Sequence, residues 1–494
     1  MNTMLRKGLL QRILIVLVSI IIFVFSFEGI WGNITDVPYK ITASICFAVI
    51  LGLVVSKRLY RNADTCLITA FLSFSYISTI INMGVSFSFF TSRFFCAYMI
   101  FLGLYYEMQT ESDSDRLLRW AVRVSFLGLG IMCLYVLAHA SKFLLAEDPW
   151  LDLGKGCFVG GRLCGLSNAN NMGIACACLI VFSVAGYLGE GKWLRWMYIP
   201  GIILGWFCMG LTGFRTGMVG TSFSAGLMVW MVMIRALGRN KHVVQVRDDD
   251  LNKYDDLNKY DDLNIDDDLK KDNSYEMDAD HKREAAQVRK AGYMKFIIAT
   301  LMGMLAFVIV IRSFPLPVYI YKKSMMIISG ILGCEWSKER IAGIMIRHIT
   351  DDNGTMSDRT LIWAASIRQC TRTLRRFLIG ISPLGRDGII GVYDGRHDIR
   401  IVHAHNIYLE ILRRTGILGF IPLMSLVICW SISMVRTFLT QKERMYVKWL
   451  YVSVFGILII GMAEPVAFMH SEWCYSGILV FMISGYLTGR RRLL

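Results

Sequence analysis

The sequence predicts an all-α integral membrane protein of about twelve transmembrane helices, with a large external loop that itself contains helices. Of its 494 residues, 55% are hydrophobic and 18% are charged, and the mean hydropathy is +0.48. A soluble chain carries nearer a quarter charged residues, and here the apolar residues fall in long unbroken blocks. These observations exclude a soluble enzyme, a fibrous protein and a disordered chain.

The apolar blocks have the length that a membrane-spanning helix requires, about 20 residues for a hydrocarbon core of about 30 Å. The first block lacks a small-residue cleavage site, which predicts an anchor and not a removable signal peptide. The predicted spans are 9–27, 38–55, 64–82, 87–106, 117–138, 168–187, 194–211, 214–236, 294–312, 416–437, 445–463 and 471–488.

The distribution of Lys and Arg predicts that both termini are cytoplasmic. Basic residues cluster in alternate loops, starting with Arg6 and Lys7 before the first span and ending with Arg490 and its neighbours after the last. The short loops between these clusters are nearly free of Lys and Arg. Both ends on one side also require an even number of spans, which agrees with the predicted number.

Two long loops divide the chain. The cytoplasmic loop repeats DDLNKY at 249–254 and 255–260, and between 248 and 280 it carries 14 acidic residues and four lysines. The repeat has no apolar face, which predicts partial disorder, and it lacks the glycine and terminal glutamate of an EF-hand. The predicted organisation is transmembrane helices 1–8 in 1–236, the cytoplasmic loop in 237–293, helix 9 in 294–312, the external loop in 313–405, and an external amphipathic helix with helices 10–12 in 406–494.

The external loop is mixed in composition and is predicted to fold as a lid or domain at the membrane surface. Its basic run, Arg368, Arg372, Arg375 and Arg376, opposes the positive-inside tendency. Much of the formal net charge of +15 lies in cytoplasmic loops and sets the orientation, so nucleic-acid binding is not expected. The external arginines instead indicate an anionic ligand.

Two glycine-containing stretches at the predicted outer side carry candidate ligand-binding residues. In GGRLCGLSNANNMG (160–173), the glycines permit tight turns, Arg162 supplies a cation and Asn170 an amide. Capping of the following helix by Asn168 or Asn170 is the alternative. In LTGFRTGMVG, Arg215 follows a tight turn at the outer end of a span, where its fork geometry suits phosphate. The alternative is an arginine that extends to the membrane interface.

The other candidates lie in and after the external loop. Arg359 stands at the start of a loop helix expected to end at Gly380, and an ordinary surface residue is the alternative. In VHAHNIYLEILRRTGILGF (402–420), His403 and His405 enter a helix. A neutral histidine can act as a general base, and a structural histidine or a metal ligand are the alternatives. The sequence offers no matching cluster of Cys, His or Glu to complete a metal site.

Together these residues support one chemistry. Several external arginines can hold a diphosphate, and an external histidine can deprotonate a hydroxyl. Electrostatic clamping of the leaving group then replaces the metal ion that many glycosyl transferases use. A substrate with its diphosphate at the outer leaflet is a lipid-linked sugar.

Four blocks of this sequence resemble, in order, those of the O-antigen ligase and O-antigen polymerase superfamily of bacterial membrane glycosyl transferases. The blocks are GRLCGLSNANNMG, LTGFRTG, SDRTLIWAASI with LIGISPLG, and HAHNIYLEILRRTGILGFIPL. The last is the most specific, since it resembles the signature H-x-H-N-x-Y-L-E-x-x-x-x-x-G-I-x-G. Phe214, Ala169 and GISPLG depart from the family pattern, and the acidic insert at 248–280 has no counterpart in it.

The resemblance implies a GT-C-like fold in the bacterial cytoplasmic (inner) membrane, with the active site on the external face. It implies metal-independent, cofactor-free transfer of a glycan from an undecaprenyl diphosphate donor to an acceptor sugar hydroxyl. The residues that the resemblance and the motifs assign fall into three groups. The expected catalytic residues are His405, as the base, and His403; the diphosphate-binding residues are Arg215, Arg359 and Arg162; the supporting residues are Asn170, Asn406 and Glu410, the last with an open role.

The acceptor distinguishes two forms of this chemistry. A polymerase joins one lipid-linked repeat unit to another, whereas a ligase joins the finished chain to a cell-surface acceptor. A polymerase of the capsule, exopolysaccharide or O-antigen type is the favoured interpretation, and a chain-length regulator or a flippase would fit as a protein partner.

Two other classes compete with this interpretation. A flippase or transporter for lipid-linked oligosaccharides would use the same arginines without a base, and Arg93, inside the fourth predicted span, favours it. A membrane sensor with the external loop as receptor would leave His405 and Arg215 unexplained.

Overall fold

The computed structural model describes part of the chain, and it divides the chain into two compact units. One unit is Met1–Thr221 with Arg312–Leu494, and the other is Ser222–Ile311. The predicted spans 9–27 and 38–55, the acidic repeat and Arg93 lie largely or wholly outside the described residues. Those residues are 16, 19–20, 52, 62–86, 89, 98, 100–105, 115–148, 158–165, 168–238, 290, 292–346, 355–385, 389–393, 397–401, 403–439, 443–464 and 475–490.

Helices form most of the described chain, and two short antiparallel hairpins interrupt them. The strands are β1 (Phe158–Val159), β2 (Arg162–Leu163), β3 (Ile389–Tyr393) and β4 (His397–Ile401), with β1 paired to β2 and β3 to β4. The helices are α1 (Ala63–Met83), α2 (Arg116–Leu145), α3 (Ala169–Gly189), α4 (Ile199–Thr212), α5 (Arg215–Gly238), α6 (Pro315–Ile331), α7 (Ser337–Ala342), α8 (Thr355–Thr371), α9 (Leu374–Ile379), α10 (Ile407–Leu439), α11 (Met445–Gly461) and α12 (Tyr475–Arg490).

Seven helical segments of the described chain are long and apolar enough to cross a membrane. They are Ala63–Met83, Arg116–Leu145, Ala169–Gly189, Leu194–Thr212, Arg215–Leu237, Gly292–Ile331 and Ile407–Arg436. The prediction of a mainly helical membrane protein is therefore confirmed, although neither hairpin was predicted. Twelve spans remain a prediction, and α11 is an apolar helix of 17 residues, shorter than these seven.

The helix α3 is the most deeply buried of the seven candidates and carries a polar group at its first turn. Asn168 precedes it in an extended conformation, and its side-chain oxygen accepts a hydrogen bond from the Asn171 amide at 2.8 Å. This N-cap satisfies one of the amides that a helix start leaves unpaired. It also fixes Asn170 within the first turn of a buried helix.

Charged clusters lie at both ends of α11. Glu443 and Arg444 precede this helix, where Glu443 pairs with Arg490 at 2.6 Å and Arg444 with Asp115 at 3.1 Å. Glu464 follows the other end of α11. The residues that meet at the first end all come from segments predicted to be cytoplasmic, which is consistent with the predicted alternation of loops.

The segment after Arg359 forms two helices, so the expectation of one helix ending at Gly380 was wrong. The first of them, α8, ends at Thr371, and Thr373 is extended with φ −142° and ψ 149°. The Thr373 hydroxyl accepts a hydrogen bond from the Arg376 amide at 3.2 Å, which makes it the N-cap of α9. A capping side chain in mid-segment thus outweighs the near-helical spacing of apolar residues that predicted a single helix.

A break in α10 at Gly416 separates its first turns from the rest of the helix. Gly416 has φ 64°, and a Cβ atom there would overlap the carbonyl group of Leu378 in α9. The neighbouring carbonyl of Arg413 accepts a hydrogen bond from the Ile381 amide at 3.1 Å. The α9 backbone therefore packs directly on the break, and only glycine satisfies both the dihedral angle and the space.

Replacing Gly416 by alanine is expected to lower the stability of the protein by more than about 2 kcal/mol, since the left-handed conformation and the backbone overlap both oppose it. Gly333 is a matched control, because it has φ 67° with open space around it. Its alanine variant should lose only about 1 kcal/mol. Thermal unfolding in detergent measures both, and equal losses would show that the α9 contact contributes nothing.

Candidate functional site

Four segments that are distant in sequence meet where α11 ends, all within the unit formed by Met1–Thr221 and Arg312–Leu494. They are the first turn of α3, the start of α8, the residues that enter α10, and the residues after α11. Each contributes one polar side chain to a connected network of hydrogen bonds. In that order, these side chains are Asn170, Arg359, His405 and Glu464.

Glu464 is the centre of this network. Its Oε1 lies 2.6 Å from Nη2 of Arg359 and accepts a hydrogen bond from Nδ2 of Asn170 at 2.9 Å. Its Oε2 lies 3.2 Å from Nδ1 of His405. The carboxylate is 3% exposed, whereas the side chains of Arg359 and His405 are 19% and 33% exposed. A buried anion thus holds two basic groups that solvent or a ligand can reach.

Arg162 extends the network through Asn170. Its Nη2 donates to Oδ1 of Asn170 at 2.9 Å, and its Nε donates to the Thr212 carbonyl at 2.7 Å. Arg162 lies in the β1–β2 hairpin, which turns at Gly160 and Gly161 with φ 55° and 70°. Positive φ at both central residues is the geometry of a tight hairpin turn. The glycines of this stretch therefore serve the turn that presents Arg162.

Both interpretations of the asparagine stretch apply, to different residues. Asn168 caps α3, as the structural alternative requires. Asn170 bridges Arg162 and Glu464 through its two side-chain atoms. Asn168 and Asn170 are only two residues apart, but the side chain of Asn168 contacts the backbone of α3, whereas the side chain of Asn170 contacts Arg162 and Glu464.

The backbone at His405 is in the left-handed region, with φ 47°. Its carbonyl accepts a hydrogen bond from the Trp363 indole at 3.4 Å. The next residue, Asn406, caps α10 by accepting from the amides of Tyr408 and Leu409, and its Nδ2 donates to the Met462 carbonyl at 3.0 Å. Contacts on both sides therefore hold an uncommon conformation that places the imidazole beside Glu464.

The two histidines of the HAH stretch face different carboxylates. His403 Nδ1 lies 3.7 Å from Glu410 Oε1, and the Ala404 amide donates to Oε2 of Glu410 at 2.9 Å. Glu410 is completely buried and is paired with Arg413 at 2.7 Å and with Arg414 at 2.5 Å. Two guanidinium groups thus neutralise a buried anion that would otherwise be very costly.

The cluster of His403, Arg413 and Arg414 around Glu410 stabilises the residues next to His405. Arg414 Nη1 donates to the carbonyls of Pro383 and Gly385 at 2.8 and 2.9 Å, so the cluster also holds the segment that follows α9. Glu410, expected to support the site in an open role, fixes the backbone at Ala404. His403 lies beside Glu410 in this second cluster, whereas His405 lies beside Glu464.

Arg215 begins α5 immediately after the turn at Gly213, which has φ 58°. The preceding residues of this turn approach the network, since the Thr212 carbonyl accepts from Arg162. Arg215 is partly exposed. The structure thus joins Arg162, Asn170, Arg359 and His405 in one network through Glu464. Arg215 is three residues from Thr212, whose carbonyl contacts Arg162.

The surroundings of the network restrict its chemistry. Among the described residues, no group of three or more His, Cys, Asp or Glu side chains is arranged to hold a metal ion. Cys164 lies two residues from Arg162, and burial raises the pKa of its thiol. A thiol that stays protonated is a weak nucleophile.

Sequence reasoning missed Glu464, the residue that joins the parts of the site. It follows the apolar run 445–463 and precedes Pro465. An acidic residue at the end of a predicted span is uncommon and is a general indication of function. No motif marks it, however, and its partners lie 59 to 294 residues away.

A scan of the chain against protein-family models finds no match, and a search of curated proteins also finds none.

Proposed function

We propose that this chain is a metal-independent membrane glycosyl transferase. It would move a glycan from undecaprenyl diphosphate to a sugar hydroxyl as a polysaccharide polymerase, with an O-antigen-type ligase as the alternative. The observation that carries the proposal is the position of His405 and Arg359 on either side of the buried Glu464 carboxylate. The four-block resemblance supports the lipid-linked donor.

His405 is suited to act as the base. When Nδ1 of the neutral imidazole donates to the Glu464 carboxylate, 3.2 Å away, Nε2 would keep its lone pair and could accept a proton. The acceptor hydroxyl would lose its proton to Nε2 while its oxygen attacks the anomeric carbon of the donor sugar. The bond between that carbon and the phosphate oxygen breaks, and the diphosphate leaves with the electron pair.

The arginines are suited to stabilise the leaving diphosphate. Arg359 contacts the Glu464 carboxylate and Arg162 contacts the Asn170 amide, so one network brings two guanidinium groups to the site. A guanidinium has five N–H donors, which allows Arg359 to contact Glu464 and a phosphate oxygen at the same time. Fixed donors at the developing charge are commonly the largest contribution to such reactions.

A direct test uses the purified chain in detergent with lipid-linked repeat units from cells that lack it, in the presence of EDTA. A transferase converts the donor into longer saccharides, because the reaction needs no membrane. A series of saccharides of increasing length, still attached to polyprenyl diphosphate, identifies a polymerase. A saccharide attached to another acceptor identifies a ligase. A flippase cannot change the donor in micelles, so an unaltered donor together with transport in vesicles would overturn the proposal.

Replacing Arg215 by lysine is expected to reduce transfer by about 10-fold to 100-fold, because a point charge cannot reproduce the bidentate contact of the guanidinium. The measurement is the initial rate with the lipid-linked donor. Arg235, near the other end of α5, is the matched control, and its lysine variant should keep the normal rate. Full activity of the Arg215 variant would support the alternative of an arginine at the membrane interface.

A further inference from the structure

The end of α8 and the start of α9 form an exposed surface that is both basic and apolar. Leu374 and Ile367 are 73% and 48% exposed. Arg368, Arg372 and Arg376 lie beside them in the sequence, and the first two are also exposed. We call these five residues the interfacial patch. Exposed apolar side chains next to several cations are characteristic of surfaces that lie in the interface of a bilayer.

Among the described residues, the arginines of the patch have no anionic partner. In the parts of the chain that the structure covers, no carboxylate or carbonyl oxygen contacts the guanidinium group of Arg368, Arg372 or Arg376. The neighbouring Arg375 differs, because its Nη2 donates to the Ile81 carbonyl and to Oδ1 of Asn82, both at 3.0 Å. Within the described chain, three arginines without an anionic partner therefore lie close in sequence to one that anchors the segment.

The anchor of Arg375 places the patch beside the end of a candidate membrane span. Ile81 and Asn82 lie in the last turn of α1, a helix apolar and long enough to cross the bilayer. Asn82 also donates to the Gly380 carbonyl at 3.2 Å, so α9 is held to this end of α1 at two points. Val85, just beyond the helix, is 82% exposed. With α1 spanning the bilayer, the patch would lie at the level where this helix leaves the hydrocarbon region.

We propose that the interfacial patch binds the anionic headgroups of phospholipids in the membrane leaflet at the Met83 end of α1. Leu374 and Ile367 would enter the acyl boundary, and the three arginines would contact lipid phosphate. The partner is assigned by charge and position, since guanidinium groups near a bilayer are attracted to anionic lipid. The patch is separate from the Glu464 network, so the proposal does not depend on the proposed function.

The test measures hydrogen–deuterium exchange of residues 366–379 in the full chain and compares two kinds of nanodisc. One contains only neutral phosphatidylcholine, and the other contains about 30% phosphatidylglycerol. We expect exchange at least about fivefold slower with the anionic lipid. The triple variant R368Q/R372Q/R376Q should lose this difference. The matched triple R368K/R372K/R376K should keep it, because lysine retains the charge.

Two results would overturn the proposal. Equal exchange in the two lipids would show that the patch does not recognise anionic headgroups. Slower exchange in neutral nanodiscs after addition of hyaluronate, with no effect of phosphatidylglycerol, would assign the patch to an acidic glycan instead. Exchange of α7, which lies outside the patch, gives the baseline for each nanodisc.

Discussion

Replacing His405 by alanine should abolish glycan transfer and leave lipid-linked repeat units to accumulate in the membrane. Loss of a general base typically costs about 10²-fold to 10⁴-fold in rate, and here the base also has a fixed orientation toward Glu464. The measurement is the initial rate of the purified variant, with polymer length in cells as a second readout. Normal polymer length would exclude His405 as the catalytic base.

The left-handed backbone at His405 calls for a second variant. Alanine is disfavoured at φ 47°, so a loss of activity could follow from a local change of structure. Asparagine tolerates this conformation and cannot act as a base, and His405→Asn should therefore fold normally and still be inactive. His139, a partly exposed histidine in α2, is the control, and its alanine variant should keep full activity.

Replacing Glu464 by glutamine should lower kcat by at least about 10²-fold with little increase in KM. An amide can donate to the imidazole as well as accept from it, so it no longer keeps the proton on Nδ1 of His405. The variant also releases Arg359 from its ion pair, and this makes more of the guanidinium available to the donor. A KM that rises while kcat stays constant would contradict an orienting role.

Glu443 offers a matched control for Glu464. It is buried, pairs with an arginine at the same distance of 2.6 Å, and lies at the other end of α11. Glu443→Gln should therefore lower the Tm, as Glu464→Gln does, but it should leave kcat unchanged. If both variants lose activity in proportion to the fall in Tm, then Glu464 acts through stability alone.

The candidate site illustrates which residues a sequence reveals. His405, Arg359 and Arg162 are polar residues in motifs at the predicted outer side, and the motifs mark each of them. Glu464 stands outside any motif, and only the meeting of α3, α8, α10 and the residues after α11 brings it to Asn170, Arg359 and His405. Spacing along a chain predicts local contacts, whereas the contacts of Glu464 join residues that are 59 to 294 positions apart.

The two histidines show the same limit in another form. Both His405, as the base, and His403 were expected to be catalytic residues, yet His405 contacts Glu464 and His403 lies near Glu410. The left-handed backbone at His405 separates their directions. Backbone dihedral angles of this kind are imposed by tertiary contacts, here by Trp363 and Asn406, and residue types alone do not predict them.

The sequence by itself determined that this is a helical membrane protein, because long apolar runs are stable only when a bilayer or other helices cover them. It also determined where arginine and histidine stand relative to the ends of those runs. The tertiary structure decided which of these residues meet. A buried carboxylate must be paired with cations and hydrogen-bond donors. Glu464 meets this requirement with residues from distant parts of the chain, whereas Glu410 meets it with neighbours in sequence, Arg413 and Arg414.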